Sequence, residues 1–180
     1  MVIQPLPMPS RNNDLTESMV TRVAQLGLPA LEPLIRLYGL NLFIVAQDES
    51  IPGSYWGESE AGLISNTLYL RPDTPVHSAL HEACHYICMD DARRARLHTD
   101  AGGSDTEENA VCYLQALLAA ELPGYSRARL FADMDAWGYN FILGSAQAWF
   151  ERDAEDARDW LLAQGLIDAQ DRPRLRLHGD

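Results

Sequence analysis

Basic residues are scarce in this chain: 14 Lys and Arg stand against 26 Asp and Glu, a formal net charge of −12. Phosphate contacts need many cationic side chains, so nucleic acid is not an expected partner. Long apolar runs are missing too. The most apolar stretch, Ala136 to Phe150, is interrupted by Asn140, Gly144, Ser145 and Gln147, so it reads as a core helix and no membrane partner is expected. The first ten residues hold Pro5, Pro7 and Pro9 but no basic segment ahead of an apolar one, unlike a secretory leader. Cysteine is limited to three residues; an odd number suits a reducing compartment, and the expected localisation is cytoplasmic. No internal repeat or low-complexity tract appears.

What remains is a 180-residue chain, 47% hydrophobic, enough for one core. The expected organisation is a loose N-terminal arm over 1–13 and a single domain over 14–180. Its core spans about 40–121 and a helical C-terminal part about 122–170.

Residues 81 to 85 read His81-Glu82-Ala83-Cys84-His85, an H-E-x-x-H pentad. On a helix, positions i and i+4 share a face, so the two imidazoles converge. Zn2+ suits such a pair, and Glu82 can sit beside the ion as a general base without ligating it. Thr74-Pro75 reads as an N-cap followed by proline at the first helical position, opening a helix from Pro75 to Met89. Two satisfied histidines flanking a solvated glutamate are the bland alternative, against which the cost of burying unpartnered imidazoles weighs.

A catalytic zinc usually takes three protein ligands. After His85 the chain reads Tyr86-Ile87-Cys88-Met89-Asp90-Asp91, with no glycine and third histidine close by. A second helix over 105–121 offers Asp105, Glu107 and Glu108 in its first turn, where the helix dipole also favours acidic residues. Glu107 is the favoured third metal ligand, because Ala110 leaves a small side chain where the helices must approach; Glu108 is the alternative. Cys84, Cys88 and Cys112 read as buried packing residues.

Ile51-Pro52-Gly53-Ser54-Tyr55-Trp56, then Gly62 to Leu70, then the pentad, resemble the ImmA/IrrE-type small gluzincin (minigluzincin-like) zinc metallopeptidases. The resemblance covers roughly residues 40 to 120. In that group a strand ending near an asparagine precedes the H-E-x-x-H helix, and the next helix carries Glu-x-x-Ala, an aromatic and Leu-Leu. Glu107, Ala110, Tyr113, Leu117 and Leu118 fit that pattern. The group often has Asn or Asp four residues after the ligand, where this chain has Val111. Some members bind DNA through extra domains, a role the acidic charge disfavours here. The resemblance implies a zincin-like fold and a zinc-dependent peptidase acting on a peptide or protein substrate.

The expected fold class is α+β: a small mixed or antiparallel sheet packed on the H-E-x-x-H helix and a following glutamate helix, with extra C-terminal helices. Helices are expected over Asp14–Leu26 (with an Asp14-x-x-Glu17 capping box), Pro29–Tyr38, 124–134, 136–150 and 153–164, and strands over Asn41–Ala46, Gly53–Gly57 and Gly62–Leu70. Leu63–Leu70 should be the sheet edge facing the metal helix, where an extended peptide could add as a strand. Arg172 to His178 reads as a polar tail. Zinc on His81, His85 and Glu107 would acidify a bound water, with Glu82 moving its proton. Candidate oxyanion donors are His77, Tyr139, Tyr125 and His98, with simple exposure the favoured reading of His77. Asp105 and Asn109 are candidate partners for the far nitrogens of the histidines. The alternative function is a non-catalytic zinc-binding domain, a partner-binding or toxin–antitoxin-type regulatory module.

Overall fold

The computed structural model describes residues 20–57 and 59–179. The expected arm over 1–13 and the Asp14–Glu17 capping box lie outside them. Among the described residues the chain is α+β, with a three-stranded mixed sheet and eight helices: α1 (Val23–Leu26), α2 (Leu28–Leu37), β1 (Asn41–Ile44), β2 (Gly62–Ile64), β3 (Thr67–Leu70), α3 (Val76–Cys88), α4 (Asp91–Arg94), α5 (Asp105–Ala119), α6 (Arg127–Trp137), α7 (Ala146–Arg152) and α8 (Glu155–Ala163). None of these helices is long and apolar enough to cross a membrane.

The sheet order is β1-β3-β2, with β1 parallel and β2 antiparallel to β3. Gly62–Leu70 is therefore not one strand but a hairpin. It reverses at Ser65, which takes a positive φ of 53° although serine gives little advance sign of that conformation. Period-two alternation then buries Leu68 and Leu70 and leaves Thr67 and Tyr69 half-buried, as one covered face requires. Gly53–Gly57 forms turns and a lone bridge from Ser54 to Gly62 rather than a strand.

The edge expected to receive a peptide lies on β2, and the chain's own backbone occupies it. The Leu63 amide donates to Gly53 O (3.2 Å), Leu63 O accepts from the Thr99 amide (3.0 Å), and the Ser65 amide donates to Leu97 O (2.9 Å).

Helix α3 is buried nearly all round. Its Val76, Ala79, Leu80, Ala83 and Ile87 are at most 1% exposed, and it packs on β2 and β3 on one side and on α5 on another. Each fully buried leucine or isoleucine there contributes roughly 1.5–3 kcal/mol. Pro75 is the N-cap, one residue later than expected, because the Thr74 hydroxyl accepts from the Arg71 amide instead of capping the helix. At the other end the polar tail supplies partners for the last carbonyls, which a helix leaves unpaired. The His178 amide donates to Ile87 O (3.0 Å), its ring Nδ1 lies 2.7 Å from Cys88 O, and buried Arg94 donates to Met89 O and His178 O.

The expected helix over 136–150 is in fact the end of α6, a loop and α7. Gly138 adopts φ 97° and ends α6, and the Tyr139 amide bonds back to Met134 O (3.1 Å), a left-handed stop that suits glycine. That reversal turns Tyr139 toward α3.

Candidate metal centre

Two helical repeats build the centre. His81 and His85 are one turn apart on α3. Glu108 and Gln115 are two turns apart on α5, so they also share a stripe. Where the helices pack, His85 meets Glu108 and His81 meets Gln115. The Nε2 atoms of His81 and His85 are 3.1 Å apart, and His85 Nε2 lies 3.5 Å from Glu108 Oε2. The ligand atoms of all three residues fall within 4.8 Å of one another. Ligands about 2.0–2.1 Å from a tetrahedral ion sit roughly 3.3 Å apart, so this set fits one ion. His81, His85 and Glu108 could hold a metal.

Glu107, the favoured third ligand, is elsewhere. Its carboxylate receives both hydrogen bonds of Arg93 Nη1, at 2.6 and 2.7 Å. One residue rotates a side chain about 100° around a helix, which carries Glu107 off the stripe shared by Glu108 and Gln115 and toward α4. The pair still serves the site. Arg93 Nη2 also donates to Ala101 O (3.0 Å) and Gly102 O (2.8 Å), fixing the loop whose Gly103 amide donates to Glu108 Oε1 (3.1 Å). Glu108 thus spends one oxygen on the backbone and turns the other toward the histidines. A Cβ at Gly103 would lie 2.5 Å from the Glu107 carboxyl, so a larger residue there would have to displace that carboxyl from its place beside Arg93.

Glu82 follows His81 and is buried, with Oε2 lacking any hydrogen-bond partner. Burial, then the charges of Glu60, Glu108 and Asp100, push its carboxyl well above the usual range. Glu60, from the loop before β2, is raised by burial too, against the opposing hydrogen bond from Trp137 Nε1 (2.7 Å). Sequence reasoning missed Glu60 because its loop carries no motif.

No family model, curated protein or solved structure matches this chain. What the centre can do therefore rests on its own geometry.

His77 is not exposed, as expected, but 1% accessible. Its ring lies 5.3 Å from Trp137 and 5.6 Å from Tyr139 between centroids, and neither nitrogen has a hydrogen-bond partner. Burial, reinforced by His81 and Arg22, pushes it down to about 3. Tyr139 also stands edge-on to His81 at 6.0 Å. Of the two tyrosines among the candidate donors, Tyr139 is the one whose ring lies against a ligand histidine. Tyr125 instead donates to Asp133 Oδ2 (2.7 Å), and His98 is exposed beside Thr99.

Asp105 is exposed, and Asn109 Oδ1 is buried without a partner; neither meets a ligand histidine. Gln115 does so instead, with Oε1 3.3 Å from His81 Nδ1. A buried amide within the apolar run of α5 was the available signal for it. Cys84, Cys88 and Cys112 are free and buried. Burial raises all three thiols, which keeps them protonated and poor as ligands.

Proposed function

We propose that this chain is a zinc-dependent metallopeptidase of the gluzincin type, zincin-like in fold, hydrolysing peptide bonds in peptide or protein substrates in the cytoplasm. The convergence of His81 Nε2, His85 Nε2 and Glu108 Oε2 carries the reading. Two imidazoles and one carboxylate are the donor set of a hydrolytic zinc site, which keeps a position open for water or substrate. When bound, zinc supplies Lewis acidity and makes a water acidic enough to act near neutral pH.

The remaining work falls to side chains. Glu82 takes a proton from the attacking water and hands it to the leaving amine. Gln115 holds His81, and the Glu108 carboxylate is aimed by Gly103. Tyr139 walls the site beside His77 and His81, which limits water on that side.

One observation favours the alternative, a non-catalytic zinc domain acting as a partner-binding or regulatory module: the β2 edge is already paired with Gly53 and Thr99, so an extended peptide has no open strand to join there. A peptide-library cleavage screen with Glu82→Gln as control separates the readings. Cleavage by the wild type and not by the variant supports the peptidase. Equal inertness, with metal retained in both, supports the binding module.

A further inference from the structure

The two candidate ligand histidines are not held alike. Nδ1 of His85 is buried without a hydrogen-bond partner, whereas Nδ1 of His81 faces Gln115 Oε1 at 3.3 Å. The other end of that amide settles its orientation. Gln115 Nε2 lies 2.6 Å from the His77 carbonyl oxygen, which can only accept, so the amide nitrogen must face His77 and the oxygen must face His81. An amide oxygen also can only accept. His81 Nδ1 must then carry a proton, which leaves Nε2 with its lone pair free, pointing at the gap shared with His85 and Glu108.

Gln115 is itself 0% exposed, so no water competes for its groups. Its site is also well determined by the fold: seven residues from Glu108, it lies on the same stripe of α5, so that Glu108 meets His85 while Gln115 meets His81 on its Nδ1 side. With Glu108 as the ligand, the position four residues on is Cys112, a raised thiol rather than a carboxylate or amide. The acceptor is supplied one further turn along the helix.

We propose that Gln115 is a positioning residue that sets the tautomer and aim of His81 for metal binding, through a neutral amide where a carboxylate could serve. The inference rests on the reading of His81, His85 and Glu108 as metal ligands. Partners of this kind typically change metal affinity 10–100-fold when removed.

The test uses the full chain and two readouts. Imidazole 15N spectra of metal-free protein should show His81 protonated at Nδ1 and bare at Nε2, and Gln115→Leu should abolish that preference. Zinc affinity, measured by chelator competition, should fall 10–100-fold in Gln115→Leu. Gln115→Glu keeps the acceptor but loses the donor to His77, and should bind zinc at least as tightly as wild type. Were the amide merely bracing the His77 carbonyl, Gln115→Glu would bind as weakly as Gln115→Leu, and the proposal would fall. Unchanged affinity in Gln115→Leu, or an Nε2-protonated His81 in the wild type, also overturns it while leaving the metal reading intact. A wild-type chain that binds no zinc overturns both.

Discussion

Adjacent glutamates on α5 should respond in opposite ways to truncation. Glu107→Ala removes the partner of Arg93. The side chains are 10% and 30% exposed respectively, between a surface pair worth about 0–1 kcal/mol and a fully buried one whose breakage costs about 3–5. A loss of about 2 kcal/mol follows, or a fall in Tm of roughly 4–8 °C for a chain of this size. Metal is retained, because Glu108 and both histidines remain, although the loop carrying Gly103 loosens. Glu108→Ala removes one hydrogen bond from Gly103 and a like charge near Glu82, so metal-free stability changes by less than about 1 kcal/mol. Its cost falls on the metal instead. Dividing the roughly 10–16 kcal/mol of a four-ligand zinc site by its ligands gives about 2.5–4 kcal/mol, or about two to three orders of magnitude in affinity. Thermal melts of metal-free protein and zinc titrations on both variants measure the two effects. If Glu107→Ala abolishes zinc binding while Glu108→Ala keeps it, the assignment of the third ligand is wrong.

Three further outcomes follow from the same structure. Glu82→Gln should keep bound metal and lose roughly 10²–10⁴-fold in peptide hydrolysis, read by single-substrate kinetics beside elemental analysis; undiminished turnover refutes its role as base. His77 is held neutral at about 3 in the folded chain against 6.5 when free; as pH falls the unfolded chain takes the proton first, so its stability contribution is complete above about 6.5 and is lost between about 6.5 and about 3. His77→Phe should flatten that acid limb in urea unfolding of metal-free protein, and an unchanged limb counts against a neutral buried imidazole. Thr99 sits at φ 70°, costly for a β-branched residue; Thr99→Gly should be neutral or stabilising by up to about 1 kcal/mol, and a clear destabilisation by calorimetry shows that its Oγ1 contact to His98 matters more than the strain.

The parts of this site that were legible in the sequence are those set by one local repeat. The i, i+4 spacing of His81 and His85 needs only a helix, and the apolar residues around the pentad announce one. The third ligand was not decidable in that way. Glu107 and Glu108 differ by one rotation step, and the choice is made by Arg93, fourteen residues away in sequence. Resemblance also favoured Glu107, since Ala110 and Tyr113 fit a register counted from it, whereas the structure groups Glu108 with the two histidines. Gln115 was within reach: an amide seven residues past Glu108, in a run of apolar side chains, has to find partners when buried. The hairpin at Ser65 and the break at Gly138 were lost for different reasons. Serine rarely marks a left-handed turn, whereas Gly138 does, but the apolar residues on either side of it invited one continuous helix. The covering of β2 by Gly53 and Thr99 depends on two loops that carry no periodicity at all.

The most direct test of the account is zinc X-ray absorption on the zinc-loaded chain. Two imidazole nitrogens at about 2.0–2.1 Å with oxygen completing the shell, and no sulfur, is the predicted first coordination sphere. A sulfur scatterer near 2.3 Å would place one of Cys84, Cys88 or Cys112 on the metal, and an all-oxygen shell would mean that His81 and His85 hold nothing; either result contradicts the centre described above.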